Sequence, residues 1–277
     1  MRITTWNVNG LRAAIRKGLA DVLEQLQPDV LLMQEVRATP DQLPAEWASP
    51  PGWHVVWNPA RKKGYSGTAV WSRTPIEVLE TRLDDLPLRD GTDSSEPPGD
   101  DVTNSVCGDP EGRLQRLRCE GVEILNVYLP SGSSGEARQQ HKEAWMKCFR
   151  PWLDQFLTMR RPVVLGGDLN IAHTARDIYY AKANEGKSGF LPHEREWMGG
   201  LLEAGYADLI REQFPDVEAG PYSWWSNRGR ARELDRGWRI DYLLANRAAK
   251  KRVSSASIDR EASLTISDHA PVTVELD

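Results

Sequence analysis

The segment Val163-Val164-Leu165-Gly166-Gly167-Asp168-Leu169-Asn170 joins a short apolar run to a sudden group of polar side chains. A run of aliphatic residues that ends at glycine predicts a buried strand, so Asp168 and Asn170 follow directly after it. Enzymes of the α/β class assemble their active sites at such strand ends from separate segments. The segment therefore predicts the class of fold and the place of its chemistry.

Other short apolar runs predict further strands at Ile3–Trp6, Val30–Met33, Trp53–Trp57, Thr68–Trp71, Val122–Leu129, Ile240–Leu244 and Ala270–Leu276. Apolar residues with a period of about 3.6 residues between Leu11 and Leu26 predict one amphipathic helix that stops before Pro28. The stretches Glu136 to Met159 and Pro192 to Ala204 have the same pattern. Strands alternating with helices predict an α/β layered fold.

Length and composition favour a single domain over residues 1–277, of which 40% are hydrophobic. The segment from Asp84 to Glu111 is rich in Asp, Glu, Gly, Pro and Ser, with Arg89 as its only basic residue, so we expect a flexible acidic insertion between strands. The sequence has neither an apolar run of membrane-spanning length nor the layout of a signal peptide. We expect a cytoplasmic monomer without a membrane partner.

The charge balance restricts how the chain can meet nucleic acid. A formal net charge of −5 excludes a protein that coats DNA through bulk positive charge, because such binding neutralises phosphates with Lys and Arg. Locally, a basic cluster lies beside Trp224, Trp225 and Trp238 and contains Arg228, Arg230, Arg232, Arg236 and Arg239. Arginine beside aromatic rings is typical of a nucleic-acid groove. A solvated charged face over a tryptophan-containing core explains the cluster equally well.

Polar side chains that can perform chemistry follow several predicted strands, and each has an ordinary structural explanation when taken singly: Asn7, Asn9, Glu35, Tyr128, Asp168, Asn170, Asp268 and His269. Asp241 is different because it is a carboxylate inside an apolar strand, and buried charge is costly unless it is paired. His269 is its natural partner.

Together these residues supply what phosphodiester hydrolysis needs. Glu35, Asp268 and the side-chain carbonyl of Asn7 or Asn9 are oxygen ligands, which suit Mg²⁺ or Mn²⁺ rather than zinc. Two other side chains, Asp168 and Asn170, can orient and deprotonate a water. Charge that grows on the phosphoryl oxygens needs donors, which His269 and Tyr128 can provide.

Seven strings in the right order now identify a family: Thr5–Arg12, Gln34-Glu35, Gly64–Val70, Glu111–Arg113, Gly167–His173, Gly237–Tyr242 and Ser267–Pro271. Through them the chain resembles, nearly end to end, the exonuclease III family of abasic-site endonucleases, within the endonuclease/exonuclease/phosphatase superfamily. The resemblance implies a four-layer α/β sandwich of the DNase I-like type, with two mixed β-sheets face to face, helices outside and the active site at one rim.

The resemblance also implies roles for individual residues. Glu35 looks like the principal ligand of a Mg²⁺ or Mn²⁺ ion, assisted by Asn9 and Asp268, and Asp168 looks like the residue that activates the water. The phosphate-site residues look like Asn7, Tyr128, Asn170 and the Asp241–His269 pair. The pocket for a baseless deoxyribose flipped out of the helix looks like Trp224, Trp238 and Ile240, while Tyr65 and Arg113 look like contacts to the DNA backbone.

The function expected from this family is incision of double-stranded DNA on the 5′ side of an abasic site, which leaves a 3′ hydroxyl, with 3′-to-5′ exonuclease and 3′-phosphatase trimming of blocked 3′ ends. Ser131–Gly135 is less bulky than the matching segment of many relatives, and Asp235 stands where the family often has Asn. A specialist for 3′ ends with weak abasic-site incision is therefore one alternative. Two others are a superfamily enzyme that acts on another phosphoester and a relative that binds without cutting.

Overall fold

The first of two sheets contains both ends of the chain. The structure is a computed structural model and describes residues 1–81, 110–263 and 265–277. This sheet contains β1 (Arg2–Asn7), β2 (Val30–Gln34), β3 (His54–Asn58), β4 (Thr68–Ser72), β11 (Val253–Ile258) and β12 (Val272–Leu276). Their spatial order is β11-β12-β1-β2-β4-β3. The pairing of β1 with β2 is parallel and that of β1 with β12 is antiparallel, so the sheet is mixed.

The second sheet contains β5 (Glu77–Glu80), β6 (Leu114–Cys119), β7 (Val122–Tyr128), β8 (Val163–Asp168), β9 (Ala207–Asp208) and β10 (Asp241–Ala245). It has the order β5-β6-β7-β8-β10-β9, with β7 and β8 parallel and β8 and β10 antiparallel. All eight predicted strands are confirmed within a few residues. The sequence pattern did not predict β5, β6, β9 or β11.

The two sheets pack face to face through an apolar layer that includes Ile3, Leu32, Val70, Ile124 and Leu243. Close approach explains the two glycines of β8. A Cβ on Gly166 would lie 2.7 Å from a methyl carbon of Leu32 in the other sheet, and one on Gly167 would lie 1.8 Å from the Val127 carbonyl oxygen. A larger residue at Gly167 would have to displace the backbone of β7, whereas one at Gly166 would have to displace the Leu32 side chain.

Helices cover the outer faces of both sheets. They are α1 (Leu11–Arg16), α2 (Leu19–Leu26), α3 (Ala45–Ala48), α4 (Glu136–Asp154), α5 (Ala181–Asn184), α6 (Pro192–Ala204), α7 (Leu209–Gln213) and α8 (Arg247–Lys250). One outer layer buries Trp6, Leu19 and Met33. The other buries Trp145, Phe149 and Met198 against β7 and β8. The predicted four-layer sandwich is confirmed.

Two helix predictions need correction. The single helix predicted from Leu11 to Leu26 is wrong, because Gly18 adopts a φ of 99° that breaks it into α1 and α2. The helix predicted over residues 136–159 ends at Asp154, three residues after Pro151. Helix α6 has the predicted bounds.

The predicted acidic insertion from Asp84 lies outside the described residues, apart from its last two positions. At its end, Glu111 accepts hydrogen bonds from Arg113 and Arg138. In the described ranges, no helix combines the length and the apolar character needed to cross a membrane.

Strand direction brings the predicted polar residues to one rim. Parallel pairing places the ends of β1 and β2 side by side, and it does the same for Tyr128 and Asp168 at the ends of β7 and β8. The antiparallel strand β10 begins at this rim, with Asp241 opposite Asp168. A hydrogen bond of 2.9 Å from Asn7 Nδ2 to Asp168 Oδ2 joins the two sheets there.

Candidate active site

A cavity of about 920 Å³ opens at this rim. Its lining includes twelve of the predicted site residues: Asn9, Glu35, Tyr65, Arg113, Tyr128, Asp168, Asn170, Trp224, Trp238, Ile240, Asp268 and His269. Asn7 and Asp241 are fully buried behind this wall, where they contact Asp168 and His269. Segments far apart in the sequence are thus brought together as predicted.

The carboxylate of Asp168 is held from two sides. Asn7 Nδ2 donates to Oδ2, and the backbone N–H of Asn170 donates to Oδ1 at 2.9 Å. Asn170 is itself anchored, because its Nδ2 donates to the Leu129 carbonyl at 2.9 Å. These contacts fix the orientation of the carboxylate toward the cavity.

The predicted pair of Asp241 and His269 is present. His269 Nδ1 lies 2.9 Å from Asp241 Oδ2, and Ser223 Oγ donates to that oxygen at 2.7 Å. On its other side, His269 Nε2 lies 3.9 Å from Asp168 Oδ2. Asp241 therefore fixes the orientation of the ring, and Nε2 is directed toward the cavity.

The balance of burial and neighbouring charges raises the pKa values of both Asp168 and His269. Burial raises the pKa of Asp168, and the nearby charge of Asp241 adds to the effect, although His269 opposes it. Burial acts to lower the pKa of His269, but the charge and hydrogen bond of Asp241 outweigh it and the net pKa is raised. Asp168 thus accepts a proton more readily than an ordinary Asp, and His269 remains a cation near neutral pH.

A second group of oxygen atoms, at the residues predicted as metal ligands, lines the same cavity. Asn9 Nδ2 donates to Asp268 Oδ1 at 2.6 Å, Trp224 Nε1 donates to Asp268 Oδ2 at 3.1 Å, and Glu35 lines the same cavity. Glu35 pairs with Arg37, so a cation already compensates its charge. Carboxylate and amide oxygens are the ligands of Mg²⁺ and Mn²⁺. Asn9 and Glu35 both have left-handed φ angles, 47° and 55°, which marks constrained backbone at the rim.

The buried group of Asp168, Asp241 and His269 has ligand atoms within 4.8 Å of one another, so its geometry could also hold a metal. The imidazole of His269 already supplies a compensating proton there, because it is bonded to Asp241. The predicted ligands Glu35, Asn9 and Asp268 offer oxygen atoms alone, the ligand type of Mg²⁺ and Mn²⁺, whereas this cluster includes an imidazole.

An apolar wall adjoins these polar groups. Trp224, Trp238 and Ile240 pack with Ala172 and Phe190, as the prediction of an apolar pocket requires. The rings of Trp224 and Trp238 are nearly perpendicular, with centroids 5.9 Å apart. The expectation that Trp225 shares this surface is wrong.

Trp225 is buried in a different cluster, with Tyr222 and Ala270. Its Nε1 donates to Asp235 Oδ1 at 3.0 Å. Asp235, which stands where the family often has Asn, thus accepts a hydrogen bond from a buried tryptophan.

The predicted basic cluster is dispersed in the structure. Arg228 lines the cavity, but Arg239 is buried and donates to Asp177 at 2.7 Å and to Asp208 at 3.0 Å. The prediction that Arg239 contributes to a basic DNA-binding surface is wrong, because its charge is used inside the protein.

Arg113 is also buried. Its Nη1 donates to the Tyr128 carbonyl at 2.8 Å, and its guanidinium lies 4.4 Å from the centre of the Tyr128 ring. Its Nη2 lies 3.5 Å from the hydroxyl of Tyr65, the other residue predicted to contact the DNA backbone. Arg113 thus packs against Tyr128 and lies beside Tyr65.

Sequence reasoning missed Ser223 and a buried ion pair of Lys142 with Glu194. Lys142 Nζ donates to the Asn170 carbonyl at 2.9 Å and to Glu194 Oε1 at 2.6 Å. Glu194 Oε2 accepts from the backbone N–H of Gly189, in the cavity wall, at 2.7 Å. Both charged residues lie in segments predicted as amphipathic helices, and no pattern in the sequence distinguishes them from surface charges.

A family model described as the endonuclease/exonuclease/phosphatase family matches residues 4–269. The chain belongs to this family. It is 37% identical over 274 residues to an exodeoxyribonuclease of Bacillus subtilis, and this alignment covers 98% of each chain. It is also 30% identical to a DNA-(apurinic or apyrimidinic site) endonuclease of Dictyostelium discoideum, over 100% of this chain and 71% of the relative.

Solved structures of the family have the same fold. A 3′-5′ exonuclease from Neisseria meningitidis aligns with a TM-score of 0.82 at 29% identity over the whole of both chains. A Neisseria 3′ phosphatase bound to a product DNA hairpin also gives 0.82, at 30% identity over 100% of this chain and 99% of that one. The predictions of an exonuclease III-type family member and of a DNA-hydrolysing enzyme are confirmed.

Proposed function

We propose that this enzyme incises double-stranded DNA on the 5′ side of an abasic site and also removes phosphate or nucleotides from blocked 3′ ends. One observation carries the proposal: a buried, oriented carboxylate, Asp168, lies 3.9 Å from a held histidine, His269, in the lining of a cavity whose adjoining wall is apolar. The relatives named as abasic-site endonuclease and as 3′ phosphatase support the two activities. We propose action as a monomer in the cytoplasm.

In the proposed reaction a water oxygen attacks phosphorus while the bond from phosphorus to the O3′ of the preceding nucleotide breaks. Asp168 accepts a proton from the water, since its raised pKa makes it a better base than an ordinary Asp. The departing O3′ takes a proton from solvent water and becomes a hydroxyl, Asp168 later releases its proton to solvent, and the phosphate stays on the baseless sugar. Asn7 and Asn170 hold Asp168 in the required orientation.

His269 and Tyr128 are the proposed donors to the phosphoryl oxygens. Asp241 holds the His269 ring so that the N–H at Nε2 is directed into the cavity. Burial and the charge of Glu35 raise the pKa of Tyr128 well above its usual value, so its hydroxyl keeps its proton and can donate. Both groups are in place before substrate binds, which lowers the reorganisation needed in the transition state.

Glu35, Asn9 and Asp268 are the proposed ligands of a Mg²⁺ or Mn²⁺ ion. A bound divalent ion would supply Lewis-acid stabilisation of negative charge on the phosphate. The apolar wall of Trp224, Trp238 and Ile240 would receive the baseless sugar, which is small and costs little to extrude, whereas an intact nucleotide is refused for its size.

The test uses end-labelled duplexes with Mg²⁺, one with an internal abasic analogue and one with a nick that carries a 3′ phosphate. We expect cleavage of both, which a chelator abolishes. Asp168→Asn and His269→Ala should remove activity, whereas the exposed controls Asp154→Asn and His193→Ala should retain it. Full activity in both site variants would contradict the assigned roles.

A 3′-end specialist is the second candidate function. The segment Ser131–Gly135 lines the cavity with small side chains, so it offers little to grip an unbroken strand on both sides of a lesion. The Neisseria 3′ phosphatase relative also favours this function. Removal of the 3′ phosphate without abasic-site incision would select it over the first proposal.

A further inference from the structure

Two neighbouring tyrosines are unusually exposed beside the active site. Tyr179 and Tyr180 are 47% and 49% exposed, and in the part of the chain that the structure describes they are the only aromatic members of the group of large, exposed hydrophobic side chains. Their rings lie 4.7 Å apart between centroids in an edge-to-face arrangement of 86°. Exposed aromatic rings commonly mark a binding surface, because their apolar area gains most from being covered.

A cation accompanies both rings. The guanidinium of Arg236 lies 5.7 Å from the centre of the Tyr179 ring and 5.8 Å from that of Tyr180. Such distances are within the range of cation–π attraction, which orders the arginine against the rings. The three side chains together offer a charge for a phosphate and a flat apolar face for a base.

The backbone of this surface adjoins the apolar wall of the cavity. Ile178 forms a β-bridge with Trp238 of the apolar wall, and the N–H of Tyr179 donates to the Gly237 carbonyl at 3.0 Å. A few residues further on, Asn184 lines the cavity. Tyr179 directly follows Ile178, which packs with the apolar wall, and Gly237 directly precedes Trp238, so a strand leaving the cavity on this side would meet the tyrosines.

We propose that Tyr179, Tyr180 and Arg236 form a tyrosine platform that binds unpaired nucleotides of the strand whose end occupies the active site. The inference deepens the proposed function by naming the substrate as a frayed or single-stranded 3′ end. Bases in a duplex have both faces covered by their neighbours, whereas an unpaired base has a free face to stack on a tyrosine. A phosphate of the same stretch contacts Arg236.

The test compares two nicked substrates that differ only in whether the last few nucleotides before the 3′ phosphate are paired. In the double variant Tyr179→Ala/Tyr180→Ala, we expect KM for the unpaired end to rise about 10-fold, since base–aromatic stacking contributes about 1–3 kcal/mol per base. The KM for the paired end should change by less than about 2-fold, and kcat should be unchanged for both. Equal KM values for variant and wild type on the unpaired end would overturn the platform.

Two control variants separate stacking from folding. Tyr179→Phe/Tyr180→Phe keeps both rings and should behave as wild type, and so should Val217→Ala, which alters an exposed apolar residue elsewhere on the surface. Arg236→Gln should make the salt dependence of single-strand binding shallower by about 0.7 in the log–log slope, which corresponds to one phosphate. An unchanged slope would contradict the phosphate contact.

A binding measurement keeps this inference separate from the proposed function. Fluorescence anisotropy with a labelled single-stranded oligonucleotide in the presence of a chelator needs no cleavage. Weaker binding by the alanine variant supports the platform, whether or not a substrate is cut. Absence of cleavage would count against the proposed reaction alone. Equal binding by wild type and variant, together with normal cleavage, would overturn the platform and leave the proposed function standing.

Discussion

Buried carboxylates occur near both ends of the short segment from Arg239 to Asp241: Asp177 is bonded to Arg239, and Asp168 lies opposite Asp241. The two groups differ in which neighbours compensate their negative charge. Asp168 and Asp241 share one histidine and several neutral donors. Asp177 is bonded instead to Arg239 and Arg211. Both groups are almost completely buried.

The pKa values of Asp168 and Asp177 are therefore shifted in opposite directions. Burial raises the pKa of Asp168. Burial acts on Asp177 in the same sense, but the charges and hydrogen bonds of Arg239 and Arg211 outweigh it and lower the pKa of that carboxyl well below its usual range. A guanidinium cannot release its proton, so Asp177 stays ionised and structural, whereas Asp168 can exchange a proton. The partner, rather than the burial, decides which carboxylate can do chemistry.

The largest effect should come from Asp168→Asn. We expect kcat/KM for DNA cleavage to fall by about 10³-fold or more, because the amide cannot accept a proton. The free energy of unfolding should stay the same or rise, because the variant no longer buries that carboxylate. Urea denaturation together with the cleavage assay checks both, and a large loss of stability would show that Asp168 serves the fold.

Asp177→Asn should affect stability much more than activity, the reverse of Asp168→Asn. It should destabilise the protein by about 3–5 kcal/mol, since it leaves the buried charge of Arg239 short of a partner. Activity per folded molecule should fall only a few-fold. The control Asp154→Asn, in an exposed pair with Arg150, should change stability by less than about 1 kcal/mol. A stable but inactive Asp177→Asn would remove the distinction between the two groups.

Acid titration tests the same distinction without changing the site. The folded pKa of Asp177 is below its unfolded value of about 3.9, so its stabilisation is complete above that value and is lost as pH falls toward the folded pKa. The free energy of unfolding of the wild type should decline by about 2–3 kcal/mol more than that of Asp177→Asn over this range. Parallel profiles for the two proteins would contradict the assignment.

The pair of Lys142 and Glu194 is an intermediate case, because it is fully buried and also touches the site through the Asn170 carbonyl. In Lys142→Met/Glu194→Gln, which removes both charges, we expect kcat to fall about 10-fold through misplacement of Asn170, with KM little changed. The single variant Lys142→Arg keeps the positive charge at this position, so it should retain most of the wild-type activity. A rise in KM at constant kcat would show that the pair shapes the DNA-binding wall instead.

Sequence patterns placed most of the candidate site residues at one rim because they stand at the ends of apolar runs, and strand ends converge for topological reasons. Asn7 and Asp168 were predictable for that reason, and Asp241 because it is a carboxylate inside an apolar strand. Patterns could not show how charges are paired, since Arg239 and Arg236 look alike in the sequence although one is buried on Asp177 and the other lies against two exposed rings. Nor could they predict the break at Gly18, because a helical period continues through a residue that adopts left-handed φ. Pairing and backbone handedness depend on three-dimensional neighbours.

The pairing of β1 with β12 has a consequence for synthesis of the protein. Asn7 and Asn9 follow one of these strands and Asp268 and His269 precede the other, and Ser267 Oγ bonds the Asn7 carbonyl across 260 positions. A growing chain therefore cannot complete the site until Val272–Leu276 has left the ribosome and paired with the first strand. The candidate active site therefore stays unformed in any nascent chain that does not yet contain these residues.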